Sequence, residues 1–329
     1  MASIRPGKVL IIDNVTLSPS RSINLPFAVM LDNVICFEDK IADISIEHDT
    51  YRFKYIQCLP PIRLHIKGTI VLLHDFFRTR WQFQHIIDLF ALAGYTVIVP
   101  DLPGSVVWSR LWTGEDCSAR TLSKQLAHLL SKLGQGQKFH VVGCGLGAEI
   151  ASALSKQYSS MIESLICASF AAACQQYIDF AKDESVHRNG FVRASMDCAK
   201  IATEHKEPFY TEADFANYTA EVNEPEAMMS MVSVFTSIVN ERHNEISILE
   251  RLPSHLSWLV LQDRKDTNFR RIRDHESTKH QNVKLVSGVV GKMPDEQPEE
   301  FVITILKFLH TITSSKQKDK SRLQIVPRL

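Results

Sequence analysis

The stretch Phe139 to Ser152, "FHVVGCGLGAEIAS", decides how this chain is read. An apolar run ending at Gly143 reads as a buried strand, the residues from Leu146 onward read as a helix, and Gly143, Gly145 and Gly147 crowd the turn between them. Two turn chemistries use glycines at such a junction. Read as G-x-G-x-x-A, the stretch would lay backbone against a pyrophosphate at the helix N-terminus, and an acidic residue about 20 residues on would hold a ribose hydroxyl. The next strand ends "ICASF" with no acid, and this is not the first strand–helix unit, so the residues argue against a nucleotide and no cofactor is expected. Read as G-x-S-x-G, the stretch is a sharp turn whose tip, Gly145, has no side chain.

The same alternation extends in both directions. Upstream, "KGTIVLLHDF" is a strand, "FQHIIDLFALAGYTVIVPDLPG" an amphipathic helix broken at Gly94 and followed by a strand, and "LSKQLAHLLSKLGQGQ" a helix stopped at Gly134. Downstream come the strands "IESLICASF", "HLSWLVLQD" and "VKLVSG" and the helix "PEEFVITILKFLHTI". Near-continuous Val, Ile and Leu strands alternating with helices predict an α/β fold, a mostly parallel sheet covered on both faces. Residues 67–170 and 251–312 form this core, and 1–66, with alternating runs such as "FAVMLDNVICF" and "ADISIEHDTYRFKYI", add antiparallel edge strands. Residues 171–250 lack strand-like runs but hold helical ones such as "EAMMSMVSVFTSIVNER", which predicts a helical cap inserted over the strand ends, with Met228, Met229 and Met231 as packing residues. Residues 313–329, polar and basic, are expected to be a solvated tail.

These landmarks together resemble the α/β-hydrolase fold superfamily, from about residue 67 to residue 312. The turn at Gly145 is similar to its nucleophile elbow. "VLLHDF" resembles the strand ending in His-Gly beside the oxyanion hole, with Asp75 in place of the glycine. "YTVIVPDLPGSVVWS" resembles the Asp-x-x-Gly loop, through Asp101 and Gly104, and "ILERLPSHLSWLVLQDRKD" resembles the strand and turn that deliver the acid, here Asp266. "LVSGVVGKMPDEQPEEFVITILKFL" resembles the last strand, histidine loop and helix, with Lys292 at the histidine position. The run "KFHVVGCGLGAEIASALSKQYSSMIESLICASFAAA" is most similar to the maspardin branch, although those proteins have an elbow serine. That resemblance implies a non-secreted protein that binds a receptor's cytoplasmic tail at endosomal and trans-Golgi membranes.

Acyl transfer on this fold needs a nucleophile, an imidazole to take its proton and an acid to orient the imidazole. Gly145 offers no nucleophile, Lys292 is normally a protonated cation, and only Asp266 matches, a residue that also reads as a turn or cap. No catalytic residues are therefore expected; Gly145, Asp266 and Lys292 mark vestigial positions. Cys144 precedes the tip and reads as a small packed thiol. His74 ends a strand at the rim, where it is either a structural histidine or part of a residual pocket with Asp75 and Cys144. The amides of Phe76 and Leu146 would remain as an oxyanion-hole-like pair. A glycine at the tip relieves about 1–3 kcal/mol of backbone strain that a side chain would suffer there.

Lys plus Arg and Asp plus Glu both number 37 in 329 residues, so no overall field favours nucleic acid, an anionic membrane or an acidic substrate. The seven cysteines show no CxxC spacing and several sit in apolar runs, which predicts reduced thiols and no metal site. No apolar run approaches a membrane span, and the start lacks a signal-like stretch. The expected location is cytoplasmic, with the terminal "PRL" a weak match to a peroxisomal address. Three functions stay open: a catalytically silent module that binds a protein partner, a receptor closing its cap over a small ligand, and a hydrolase with an unorthodox site around His74, Asp75 and Asp266.

Overall fold

The computed structural model describes residues 37–75, 78–105, 117–168, 256–261, 283–286 and 297–323, with Pro294 and several positions between 230 and 238. Among the described residues, eight strands form a single sheet: β1 (Phe37–Ile46), β2 (Asp49–Cys58), β3 (Gly68–Leu73), β4 (Tyr95–Pro100), β5 (Phe139–Cys144), β6 (Ile162–Ala168), β7 (Ser257–Leu261) and β8 (Val283–Val286). Their order across the sheet is β1-β2-β4-β3-β5-β6-β7-β8. β1 and β2 form an antiparallel hairpin whose second strand pairs antiparallel with β4, and every later pairing is parallel.

The sequence pattern explains the two regimes. In the edge strand β1 every second residue is buried, Ala42, Ile44 and Ile46, while Ile41 and Asp43 between them face out. The central strands β4 and β5 are buried at every position, as strands covered on both faces must be. The run 42–56 is not one strand, because the chain reverses at Glu47, which adopts φ 59° between β1 and β2. The more N-terminal run "FAVMLDNVICF" lies outside the described residues except for Phe37.

Successive strand residues feed two cores. One holds Val71, Leu73, Phe139 and Val141 with α2 (Ala119–Gly134), α3 (Leu146–Gln157) and the hairpin residues Ile44, Phe53 and Tyr55. The other holds Ile70, Leu72, Val142 and Cys144 with α1 (Ile87–Leu92) and α4 (Pro298–Leu323). α1 is shorter than its amphipathic pattern predicts, because the 3-10 turn at Arg80–Phe83 and the turn residues 84–86 that follow it take up the start of that segment.

The segment expected as a solvated tail from residue 313 begins as helix. α4 continues to Leu323, since "SSKQKDKSRL" contains no Gly or Pro and is rich in residues that lose little in a helix. Of the expected cap, the described positions between 230 and 238 are helical, and Met231, Val234 and Ile238 pack into the first core. Met228 and Met229 lie outside the described residues.

Candidate functional site at the Gly145 turn

β5 runs out at Cys144 and α3 starts at Leu146, so the whole reversal falls on Gly145, with φ 52° and ψ −115°. A side chain rarely tolerates this region. Gly145 N–H donates to Ala168 O at 2.9 Å, which ties the tip to the end of β6. The flanking glycines answer to packing instead. A Cβ on Gly143 would strike the Gly147 carbonyl and Ala148, and one on Gly147 would strike the carbonyls of Leu73 and His74. The three glycines thus let β3, β5 and α3 meet at one point.

Asp75 fills the space above the tip. Its Oδ1 accepts the Leu146 N–H at 2.8 Å, and a Cβ built on Gly145 would overlap the Asp75 carboxylate. Asp75 is itself held, because its N–H donates to Gln82 Oε1 at 2.8 Å. Both residues are almost fully buried. The absence of a side chain at 145 and the presence of one at 75 are therefore one steric arrangement, in which a carboxylate from the β3 end takes the place of a group from the β5 end.

His74 is also held closed. Leu102 N–H donates to its Nε2 at 2.9 Å, so Nε2 is an acceptor, and the ring proton sits on Nδ1, 2.9 Å from the Asp75 carbonyl oxygen that accepts it. Burial lowers its pKa from 6.5 to about 4, helped by the nearby Arg80 cation and opposed by the Asp75 carbonyl. This imidazole is neutral, with both nitrogens committed to backbone, and so it acts as a brace between the ends of β3 and β4.

Arg80 completes the wall. It is buried, its Nη1 donates to Asp101 Oδ2 at 2.7 Å, and its backbone N–H donates to Asp101 Oδ1 at 2.8 Å. Its Nε and Nη2 reach both oxygens of Asp39 on β1. A buried guanidinium needs such a double pairing to offset its lost hydration. The pairing also fastens the edge hairpin to the segment that carries Asp75.

The alpha/beta hydrolase fold family model matches residues 68–185. An AB hydrolase superfamily protein of Gibberella zeae is 32% identical over 104 residues, which is 31% of this chain and 35% of that relative, so the match spans about a third of the relative's length. Solved structures extend the likeness over the sheet. A Nostoc sp PCC 7120 protein assigned to the α/β hydrolases aligns with a TM-score of 0.64 at 20% identity, over 83% of this chain and 98% of its own. The chain has the α/β-hydrolase fold. The epoxide hydrolase CorEH (TM-score 0.59, 19% identity, 84% and 99% coverage) and a Pseudomonas aeruginosa protein assigned as an epoxide hydrolase (0.67, 15%, 84% and 97%) share the architecture.

By its place between β5 and α3, the Gly145 turn stands where the sequence reading puts a nucleophile elbow, and the Leu146 N–H where it puts an oxyanion donor. The Leu146 amide, expected as half of an oxyanion-hole-like pair with Phe76, donates to Asp75 Oδ1 in this structure. Cys144 is a fully buried thiol in the core that also holds α1 and α4, whereas Leu146 packs in the core on the other face of the sheet. Phe76, Asp266 and Lys292 lie outside the described residues. Gln82 and Arg80, which hold Asp75 and Asp101, escaped the sequence reading because neither stands at a position a hydrolase motif marks. Among the described residues no group of three His, Cys, Asp or Glu side chains could hold a metal ion.

Proposed function

We propose that this chain is a catalytically silent α/β-hydrolase-fold protein that serves as a binding module. The observation that carries the reading is the Asp75 carboxylate lodged over Gly145 and bonded to the Leu146 amide. A hydrolase of this fold needs a reactive side chain at the tip and a vacant amide for the oxyanion, and this arrangement withholds both. Lys292 in place of the histidine supports the same conclusion from sequence. The partner is a protein, and by resemblance to the maspardin branch a receptor's cytoplasmic tail, bound from the cytoplasm at endosomal or trans-Golgi membranes. No helix among the described residues is long and apolar enough to cross a membrane.

The test is turnover of p-nitrophenyl esters and of an aryl epoxide by the purified full-length chain, beside a fluorophosphonate probe. Rates at the uncatalysed blank and no labelling are expected. Turnover that disappears in Asp75→Asn would overturn the proposal in favour of a second reading, an unorthodox hydrolase in which Asp75 itself attacks. The carboxylate at the elbow amide favours that alternative, and oxygen-18 from labelled water would then appear in Asp75 after hydrolysis of its ester. The 3% exposure of Asp75 favours the silent reading, since an attacking oxygen must reach substrate.

A further inference from the structure

At the opposite end of the sheet from Gly145, the loop 59–67, "LPPIRLHIK", carries nearly all the large apolar side chains that the described residues leave in water. Leu59, Ile62, Leu64 and Ile66 are exposed, Ile62 completely at 103%, and among the other described residues Ile41 alone is. Arg63, His65 and Lys67 alternate with them and are exposed too. Scattered surface leucines need no explanation, but four apolar side chains on one short loop do.

The loop is built to present them. Pro60 and Pro61 limit the backbone, and Leu64 N–H donates to Pro61 O at 2.8 Å, closing a turn with Ile62 and Arg63 at its corner. The far end is fastened where Lys67 N–H donates to Gly94 O at 2.8 Å. Gly94 keeps φ 92° there, and a Cβ on it would crowd the His65 carbonyl and the Lys67 stem. An apolar tip held this way enters an interface without first paying to order itself.

The charges say which interface. No acidic residue occurs between Cys58 and Asp75. The exposed Lys138 immediately precedes Phe139, which pairs with Thr69 at the same sheet end. Two acids stand near that end in register: Glu38, one residue from the Phe37–Cys58 pair and engaged by Lys40 at 2.8 Å, and Glu163, one residue from the Phe139–Ile162 pair and two strands away from β3. Apolar side chains interleaved with cations match the acyl boundary and headgroups of an anionic bilayer. We infer that the loop 59–67 is a peripheral docking wedge for anionic lipid membranes, with Ile62 and Ile66 entering the interface and Arg63, Lys67 and Lys138 meeting the headgroups. The inference holds whether or not the Gly145 site is silent, because the parallel strands place the two at opposite ends, roughly 20 Å apart.

The experiment is co-sedimentation of the full chain with vesicles of phosphatidylcholine alone or with added phosphatidylserine, at low and high salt. Binding to the phosphatidylserine vesicles that weakens with salt is expected. It should fall on the order of tenfold in Ile62→Asp/Ile66→Asp and on the order of tenfold in Arg63→Gln/Lys67→Gln. Unchanged circular dichroism and melting midpoint would show that both variants stay folded, as their exposure predicts. Absence of binding to anionic vesicles, or variants that bind like the parent, would overturn the inference. So would a concentration-dependent dimer abolished by Ile62→Asp without vesicle binding, which would assign the loop to a second copy.

Discussion

At the scale of single residues, Gly145 and Asp75 form a coupled pair. Gly145→Ser places a side chain at φ 52° and into the Asp75 carboxylate, and strain plus overpacking together predict a loss of about 2–4 kcal/mol. In an Asp75→Gly background the steric part vanishes and the same substitution should cost about 1–2 kcal/mol. Urea unfolding of the four proteins measures the coupling, and strictly additive losses would show that the two residues do not compete for the same space. Gly145 and the unusual Asp75 are both visible in the sequence as departures from a familiar turn. Their mutual dependence is not, because the bond between Asp75 and Leu146 spans 71 positions of chain and no local pattern encodes it.

At the scale of elements, burial on both faces makes the parallel strands legible, since it removes the polar alternation that would confuse them. Helix ends are less legible, as the end of α2 illustrates. Gly134 looks like the residue that takes the left-handed conformation, yet it is the last helical residue, and a Cβ there would strike the Phe139 ring. The left-handed residue is Gln135, with φ 45° and ψ 44°. The positive-φ demand thus falls on Gln135 and on Gly136, with φ 88°, rather than on Gly134, and sequence cannot apportion it. Gln135→Gly should therefore stabilise the protein, by about 0.5–1 kcal/mol, with a matching rise in denaturant midpoint at unchanged slope. A fall would mean that the Gln135 side chain contributes more than its backbone costs. Gly134→Ala should destabilise by comparison, because ring and methyl cannot share the site.

At the scale of the whole molecule, the sheet holds its strand ends in register through buried polar braces as well as through its two apolar cores. Arg80 links β1 to the loop after β4, and His74 links the end of β3 to Leu102. A brace that must stay neutral makes stability depend on pH. The folded His74 takes a proton only near pH 4, whereas the unfolded chain takes one near 6.5. Between those values unfolding binds a proton, so the contribution of His74 is complete above about pH 6.5 and is lost progressively as the pH falls to about 4. The difference amounts to about 3 kcal/mol over that interval. Carboxylates titrate in the lower part of the same range, so the wild-type curve alone does not isolate the effect. His74→Asn should be less stable at pH 7, having lost a fitted ring, but its stability should decline less steeply toward pH 4. Parallel curves for the two proteins, obtained from urea unfolding at closely spaced pH values, would mean that the imidazole is not held neutral and that the junction between β3 and β4 rests on packing alone.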